Sequence, residues 1–216
     1  MIPKVKICCI SSIAEARLAI SFGASAIGLV GKMPSGPGPI SDELIFEIAK
    51  TVPPPIATLL LTSETSAKDI IAHHKRTFTN TIQIVDELPD GCYEDLRKEL
   101  PAIKLVQVIH VIDEDSVEEA IRISQHVDAI LLDSGNPKLA IKELGGTGRV
   151  HDWKLSRKIR DSIKIPLFLA GGLNSENVRK GIEEVQPYGV DVCSGVRTNG
   201  ILDERKLEVF FNAIVV

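Results

Sequence analysis

The sequence has no apolar run long enough to cross a membrane. Every hydrophobic run among its 216 residues falls short of the roughly 18 to 20 consecutive apolar residues that a membrane-spanning helix requires. Residues 1–5 also lack the long apolar core that is typical of a signal peptide. We therefore expect a cytoplasmic protein that has no membrane partner.

Cysteines are few and widely spaced. The four cysteines, Cys8, Cys9, Cys92 and Cys193, show neither a C-x-x-C motif nor a Cys/His ligand spacing. Such spacings indicate structural zinc sites, and denser cysteine patterns indicate disulfide frameworks. We therefore expect reduced thiols and no metal site.

Basic clusters are also missing. The net charge is −4, and nucleic-acid phosphates require a basic face on the protein, so a nucleic-acid partner is not expected. A small anionic substrate is still compatible with this composition, because backbone N–H groups can supply most of the donors that it needs. No Pro/Gly/Ser-rich linker divides the chain, which predicts a single domain over residues 1–216.

What the sequence does contain is a repeated alternation of short Val/Ile/Leu-rich runs and segments with helical apolar spacing. The predicted strands are residues 5–10, 26–30, 56–61, 81–85, 104–109, 129–133, 166–170 and 189–193. The predicted helices begin near Ser12, Ser41, Ser66, Gly91, Ser116, Asp152, Asn174 and Asp203.

Eight βα units can close into a barrel or form an open, doubly wound sheet. The strand count of eight and the lack of a G-x-G-x-x-G motif after the first strand favour the barrel. The predicted fold is therefore a single (β/α)8 TIM barrel. Reactive groups in this fold lie at the carboxyl ends of the strands and in the loops that follow them.

Two of these strand ends are rich in glycine. Gly171 and Gly172 follow the seventh strand, and Ser194 and Gly195 follow the eighth. Glycines at these positions let backbone N–H groups approach a phosphate, and this is where barrel phosphate sites occur. The alternative is that these glycines only permit tight turns.

Two further strand ends carry residues that can transfer protons. Asp133 closes an apolar strand, where an unpartnered carboxylate would be costly, so it is a candidate acid or base, or alternatively a helix cap or ion-pair partner. Cys8 and Cys9 end the first strand, and strand alternation predicts that Cys8 shares a face with Lys6 and that only one of the thiols faces the interior. On composition alone, a buried cysteine is more often a small hydrophobic residue than a base.

Several motifs together resemble the phosphoribosylanthranilate isomerase family, and the likeness runs nearly from end to end. The motifs are Val5-Lys6-Ile7-Cys8, Leu131-Leu132-Asp133-Ser134, Gly145-Gly146-Thr147-Gly148 with Asp152-Trp153, Ala170-Gly171-Gly172-Leu173-Asn174, and Val190-Asp191-Val192-Cys193-Ser194-Gly195.

This resemblance implies an Amadori rearrangement in tryptophan biosynthesis, an aldose–ketose isomerisation that needs no cofactor. By similarity Asp133 is the general acid and Cys8 the general base, assisted by Lys6. The expected partner is a small phosphosugar substrate, bound by a monomer or homodimer. The residues expected to contact the substrate or its phosphate are Lys6, Lys32, Gln83, Gly146, Thr147, Gly171, Gly172, Ser194 and Gly195.

The chain also departs from the family pattern. Cys9 stands where the family usually has glycine, and Gly38 stands where it has an arginine that is expected to contact substrate anions. Lys32 can replace that arginine only as a point charge. The strand-four His-Gly pair is replaced by Val85-Asp86, and the strand-five lysine by Gln107.

Two features near the predicted rim have alternative interpretations. The Gly/Pro-rich segment 31–40 is expected to act as a lid over the substrate, or else as a stiff surface turn. His110, just after the fifth strand, is either an additional acid or base or an ordinary polar neighbour.

Three functions agree with these observations. The first is the isomerisation of N-(5'-phosphoribosyl)anthranilate, supported by Cys8, Asp133 and the glycine loops. The second is a related isomerisation of a different phosphosugar, supported by the altered loops. The third is phosphometabolite binding without catalysis, because a fold does not by itself establish an activity.

Overall fold

The computed structural model describes residues 2–136, 139, 141–145 and 148–215. Strands and helices alternate along this part of the chain. The main strands are β1 (Lys4–Ile7), β2 (Ala26–Val30), β3 (Ala57–Thr62), β4 (Thr81–Ile84), β5 (Lys104–His110), β6 (Ala129–Asp133), β7 (Leu167–Leu169) and β8 (Gly189–Val192). The helices are α1 (Ile13–Ser21), α2 (Asp42–Ala49), α3 (Ala67–Thr77), α4 (Cys92–Glu99), α5 (Asp115–Ile123), α6 (Trp153–Ser162), α7 (Val178–Val185) and α8 (Glu204–Val215).

The main strands form a closed parallel barrel. Each strand pairs with the next along the chain, and β1 also pairs with β8, with Lys6 opposite Asp191 in the register. This last pairing excludes the open sheet and confirms the (β/α)8 barrel. A short 3-10 helix (Ser194–Val196) follows β8, and two short strands, β9 (Arg197–Thr198) and β10 (Ile201–Leu202), form an antiparallel pair before α8.

Strand alternation divides the apolar side chains into two layers. Residues such as Leu60, Ile82 and Ile130 point outward and pack with the helices in the larger cluster. Residues such as Val106 and Leu131 point inward and form the smaller cluster that fills the barrel. None of the helices in the described part of the chain is long and apolar enough to span a membrane.

Local hydrogen bonds explain where the elements differ from prediction. Helix α7 begins at Val178 rather than near Asn174, because the Asn174 side chain accepts hydrogen bonds from the backbone N–H groups of Glu176 and Asn177 and so forms a turn first. Ser12 caps α1, since its hydroxyl accepts a hydrogen bond from the N–H of Glu15. The Glu15 carboxylate in turn accepts a hydrogen bond from the N–H of Ser11.

Candidate active site

A cavity opens at the carboxyl ends of the strands. The polar and glycine residues that line it include Cys8, Cys9, Ser35, Gly36, Gln83, Asp133, Gly145, Gly148, Gly171, Gly172, Asp191, Cys193 and Ser194. The cavity therefore brings together both candidate proton-transfer residues and most of the glycine loops.

Both thiols at the end of β1 reach this cavity. Strand β1 ends at Ile7, and Cys8 continues it by one backbone hydrogen bond, from its N–H to the carbonyl of Val192. Cys9 then adopts a left-handed conformation with φ 60°. The prediction that only one thiol faces the interior is therefore wrong, because strand alternation applies only as far as the extended backbone continues.

A buried ion pair lies next to Cys8. The ammonium of Lys6 is 2.9 Å from the carboxylate of Asp191, and both side chains are buried. Although burial favours the neutral amine, Asp191 and Cys8 raise the pKa of Lys6, so it stays charged. Lys6 was expected to contact substrate, but it does not line the cavity. Its positive charge instead acts on the neighbouring thiol of Cys8.

The surroundings of Cys8 favour its thiolate. A hydrogen bond from the Cys9 thiol has the largest effect in lowering the pKa of Cys8, and the charge of Lys6 lowers it further, against burial and Asp191. The pKa of Cys9 is raised, chiefly by its hydrogen bonds with Cys193 and Cys8. Since the thiolate is the reactive form of cysteine, Cys8 is equipped to accept a proton while Cys9 keeps its own.

The surroundings of Asp133 favour its protonated form, in contrast to those of Cys8. Asp133 ends β6 on the far side of the cavity from β1, and its carboxylate accepts a hydrogen bond of 2.7 Å from the N–H of Ser134. Burial raises the pKa of Asp133, against the effects of that hydrogen bond and of the charges on His110 and Lys6. A carboxyl group that holds its proton more tightly is suited to act as an acid.

The glycines after β7 are required by the backbone and by close packing. Gly171 and Gly172 have φ values of +81° and +62°. A Cβ at Gly171 would lie 3.0–3.2 Å from His151, Ser134 and Asp133 side chains, and one at Gly172 would lie 2.7 Å from the Arg149 backbone. These turns explain the glycines without a ligand, and they also leave the loop backbone exposed at the cavity wall.

The other predicted binding residues divide into three groups. Gln83 and Ser194 line the cavity, and Gln83 Oε1 has no hydrogen-bond partner among the described residues. Lys32 is exposed and does not line the cavity, and neither does Gly195, where a Cβ would clash with the carbonyl oxygen of Leu173. Gly146 and Thr147 lie outside the described residues.

Two residues discussed from the sequence lie away from this cavity. Gln107 points outward from the barrel and accepts a hydrogen bond of 2.8 Å from the hydroxyl of Tyr93 on α4, so it is not a recognition position in the cavity. His110 lines a second cavity beside Asp86, and its Nε2 lies 3.2 Å from the carbonyl of Val85.

The Gly/Pro-rich segment lies on the cavity as expected for a rim loop. Ser35 and Pro37 line the cavity. The Ser35 hydroxyl donates to the carbonyl of Lys142 at 2.6 Å, and the Cys9 thiol lies 3.6 Å from the carbonyl of Pro37. The segment therefore contacts both Lys142, in the loop after β6, and Cys9, after β1. Its closure over a substrate stays a prediction.

Sequence reasoning missed two residues that line this cavity, Asp191 and Cys193. Asp191 could have been found, because a carboxylate within the apolar strand Val190–Val192 requires a buried partner. Cys193 gave no such signal. His151 does not line the cavity but lies beside Gly171, its Nδ1 has no partner among the described residues, and burial lowers the pKa of His151 to about 4.

Comparisons with known proteins agree with this geometry. A family described as "N-(5'phosphoribosyl)anthranilate (PRA) isomerase" matches residues 5–213. A curated relative, N-(5'-phosphoribosyl)anthranilate isomerase 2 of Methanosarcina mazei, is 36% identical over 94% of this chain and 90% of its own.

Solved structures show the same likeness. A phosphoribosylanthranilate isomerase in complex with reduced 1-(o-carboxyphenylamino)-1-deoxyribulose 5-phosphate is 29% identical, with a TM-score of 0.80 over 98% of each chain. A structure of monomers of the dimeric enzyme from Thermotoga maritima is 27% identical, with a TM-score of 0.79 over 98% of each chain. The chain therefore belongs to the N-(5'-phosphoribosyl)anthranilate isomerase family, isomerases that carry out an Amadori rearrangement in tryptophan biosynthesis.

Proposed function

We propose that this chain isomerises N-(5'-phosphoribosyl)anthranilate with Asp133 as the general acid and Cys8 as the general base. The observation that carries this assignment is that β1 and β6 present a thiol with a lowered pKa and a carboxyl group with a raised pKa to one cavity. Each shift is directed from the ordinary value of the group toward neutral pH, and a general acid or base is most effective when its pKa lies near the working pH.

The reaction uses the two groups in sequence. Asp133 protonates the ring oxygen of the furanose, so that the C1–O bond breaks and the ring opens to a Schiff base. The Cys8 thiolate then removes the proton from C2 of the sugar, and the electron pair moves through C1 to the nitrogen to give an enolamine. Tautomerisation of the enolamine yields the aminoketose. Lys6 assists because its positive charge favours the Cys8 thiolate.

Substrate binding is assigned by position in the cavity. We assign the phosphate to Gly171, Gly172 and Ser194, since glycine loops after the last two strands of a barrel allow close backbone contacts with an anion. Gln83 supplies an unpartnered carbonyl oxygen for a hydroxyl of the open sugar chain. The relative solved with a carboxyphenylamino-deoxyribulose phosphate supports a substrate of this class.

The remaining assignments stay predictions from sequence. They are a single domain over residues 1–216, a cytoplasmic location, and a monomer or homodimer as the assembled state. A dimeric relative is known in Thermotoga maritima.

The decisive experiment is turnover of freshly generated N-(5'-phosphoribosyl)anthranilate, followed by the loss of its fluorescence. We expect Cys8→Ser and Asp133→Asn to lower kcat by about 10²–10⁴-fold, the usual contribution of a positioned proton-transfer group, while circular dichroism shows a folded barrel. Cys92→Ser and Asp161→Asn are matched controls, since Cys92 lies on α4 and Asp161 pairs with Arg157 on the surface of α6.

The outcome separates the candidate functions. Full turnover by either site variant would refute the assignment of the two residues. A folded wild-type protein without any turnover would favour a different phosphosugar or a binding role, and inhibition tests with other phosphosugars would then follow.

A further inference from the structure

A second pair of thiols lies beside the proton-transfer residues. The sulfur atoms of Cys9 and Cys193 are 2.7 Å apart, at the ends of the neighbouring strands β1 and β8, and both residues line the cavity. The acid–base mechanism uses neither of them as a proton-transfer group. Both are present as free thiols.

The backbone around Cys9 accommodates this arrangement at two positions. Cys9 itself adopts φ 60°, which is uncommon for a residue that has a side chain. Opposite it, Gly38 has φ +88°, and a Cβ there would lie 2.7 Å from Cys9 Cβ and 3.0 Å from its sulfur. Unusual backbone conformations of this kind cluster at functional sites. Here they direct the Cys9 thiol toward Cys193.

We propose that Cys9 and Cys193 form a redox-sensitive dithiol, and that its oxidation to a disulfide by a small disulfide such as oxidised glutathione inactivates the isomerase. The two sulfurs lie in direct contact, at the ends of adjacent strands, so a disulfide between them requires little movement of either side chain. Cys193 is partly exposed at the open side of the cavity, so the oxidant can reach it, whereas Cys9 is buried.

The chemistry balances in two exchange steps. The Cys193 sulfur attacks one sulfur of oxidised glutathione, the glutathione S–S bond breaks, and one glutathione leaves with the proton of Cys193. The Cys9 sulfur then attacks the Cys193 sulfur of the mixed disulfide and releases the second glutathione. The proton of Cys9 passes to the neighbouring Cys8 thiolate and the second glutathione leaves as its thiolate, so the two electrons lost by the protein reduce one glutathione disulfide to one thiol and one thiolate.

Oxidation would act on catalysis in two ways. A disulfide-bonded Cys9 has no S–H group, so Cys8 loses the hydrogen bond that does most to favour its thiolate. The Cys9 thiol also loses its contact with the carbonyl of Pro37, which connects the floor of the cavity to the rim loop. The expected loss of turnover on oxidation rests on the proposed isomerase function, whereas formation of the disulfide does not.

The test equilibrates the purified protein with reduced and oxidised glutathione at a series of ratios, and then measures intact mass, tryptic peptides and turnover. We expect the wild type to lose the mass of two hydrogen atoms and to yield a cross-link between peptides 7–17 and 181–197. Turnover should fall by at least about tenfold and return after reduction with dithiothreitol.

Variants identify the sulfurs involved. Cys9→Ser and Cys193→Ser should give no cross-link, whereas Cys92→Ser and Cys8→Ser should still give it, the latter excluding Cys8 as the partner. A glutathione adduct that persists on Cys193, a cross-link that depends on Cys8, or a cross-linked protein with unchanged turnover would overturn the proposal. A reduced wild type without turnover that still forms the Cys9–Cys193 cross-link would refute the isomerase assignment and leave the disulfide established.

Discussion

Lys6 and Asp191 form an ion pair of 2.9 Å across the closing seam of the barrel, between the first and the last strand. Both side chains are buried, and Asp191 Oδ1 has no hydrogen-bond partner among the described residues. The pair therefore joins a structural role, closing the barrel, to an electrostatic one, because the ammonium of Lys6 also favours the thiolate of Cys8.

Lys6→Met tests both roles. It leaves the Asp191 carboxylate buried without a partner, and removal of one member of a buried pair typically costs about 3–5 kcal/mol of stability. Urea unfolding should show a loss of this size. The double variant Lys6→Met/Asp191→Leu should recover most of it, because two apolar residues can replace a buried pair at little cost, but it should not recover turnover. Equal stability of the single and double variants would show that the pair does not act as a unit.

Gly171→Ala tests the close packing at the acid. The change combines a left-handed backbone, φ +81°, with a new methyl group 3.0–3.2 Å from the side chains of His151, Ser134 and Asp133. We expect a loss of stability of about 1–2 kcal/mol from the backbone alone and a fall in kcat, because Asp133 must move.

Gly91→Ala is the matched control for that prediction. Gly91 has a similar φ of +83°, but a Cβ there would contact nothing within 4 Å. It should therefore lose a similar amount of stability in urea unfolding and keep its kcat. If Gly171→Ala turned over substrate as fast as Gly91→Ala, the packing around Asp133 would not control the acid.

Most of the barrel could be predicted from the sequence, because the spacing of buried apolar residues along the chain distinguishes strands from helices. The predictions failed where a residue left the regular backbone or where its partner was distant in sequence. Cys9 reaches the cavity because φ becomes positive after β1, which no period-2 pattern reveals. Lys6 proved to be an ion-pair partner because Asp191, 185 residues away, lies opposite it. Gln107 faces α4 rather than the cavity.

Cys9→Gly tests how the neighbouring thiol affects the base. Removing its hydrogen bond should raise the pKa of Cys8, since that bond does most to lower it. Activity requires the Cys8 thiolate, so kcat/KM should begin to rise at a higher pH than in the wild type. Glycine accepts the φ of 60° without strain, which keeps the backbone in place. An acidic limb of the pH profile that does not move would show that Cys9 has no influence on the base.

Asp133→Asn should increase stability at neutral pH even as it removes turnover. The pKa of Asp133 is raised in the folded protein, chiefly by burial, so the folded state binds this proton more tightly than the unfolded state does. The resulting stability is present below the unfolded pKa and is lost as pH rises through the folded pKa. At neutral pH Asp133 therefore makes the folded state less stable, relative to the unfolded state, than it is at acidic pH, and asparagine does not carry this cost.

Urea unfolding over a pH series measures this cost. The gain from Asp133→Asn should be roughly 0.5–2 kcal/mol near neutrality, as for other stabilising substitutions at active sites, and should shrink on acidification as the wild-type carboxyl becomes protonated.

Asp203→Asn is a control of opposite sign, because hydrogen bonds from Thr198 and from the N–H of Lys206 lower the pKa of Asp203. That variant should lose stability at neutral pH, and its loss should shrink on acidification. A gain for Asp133→Asn that stays constant with pH would mean that the carboxyl is not protonated more readily in the folded protein, and it would remove the physical basis for its role as the acid.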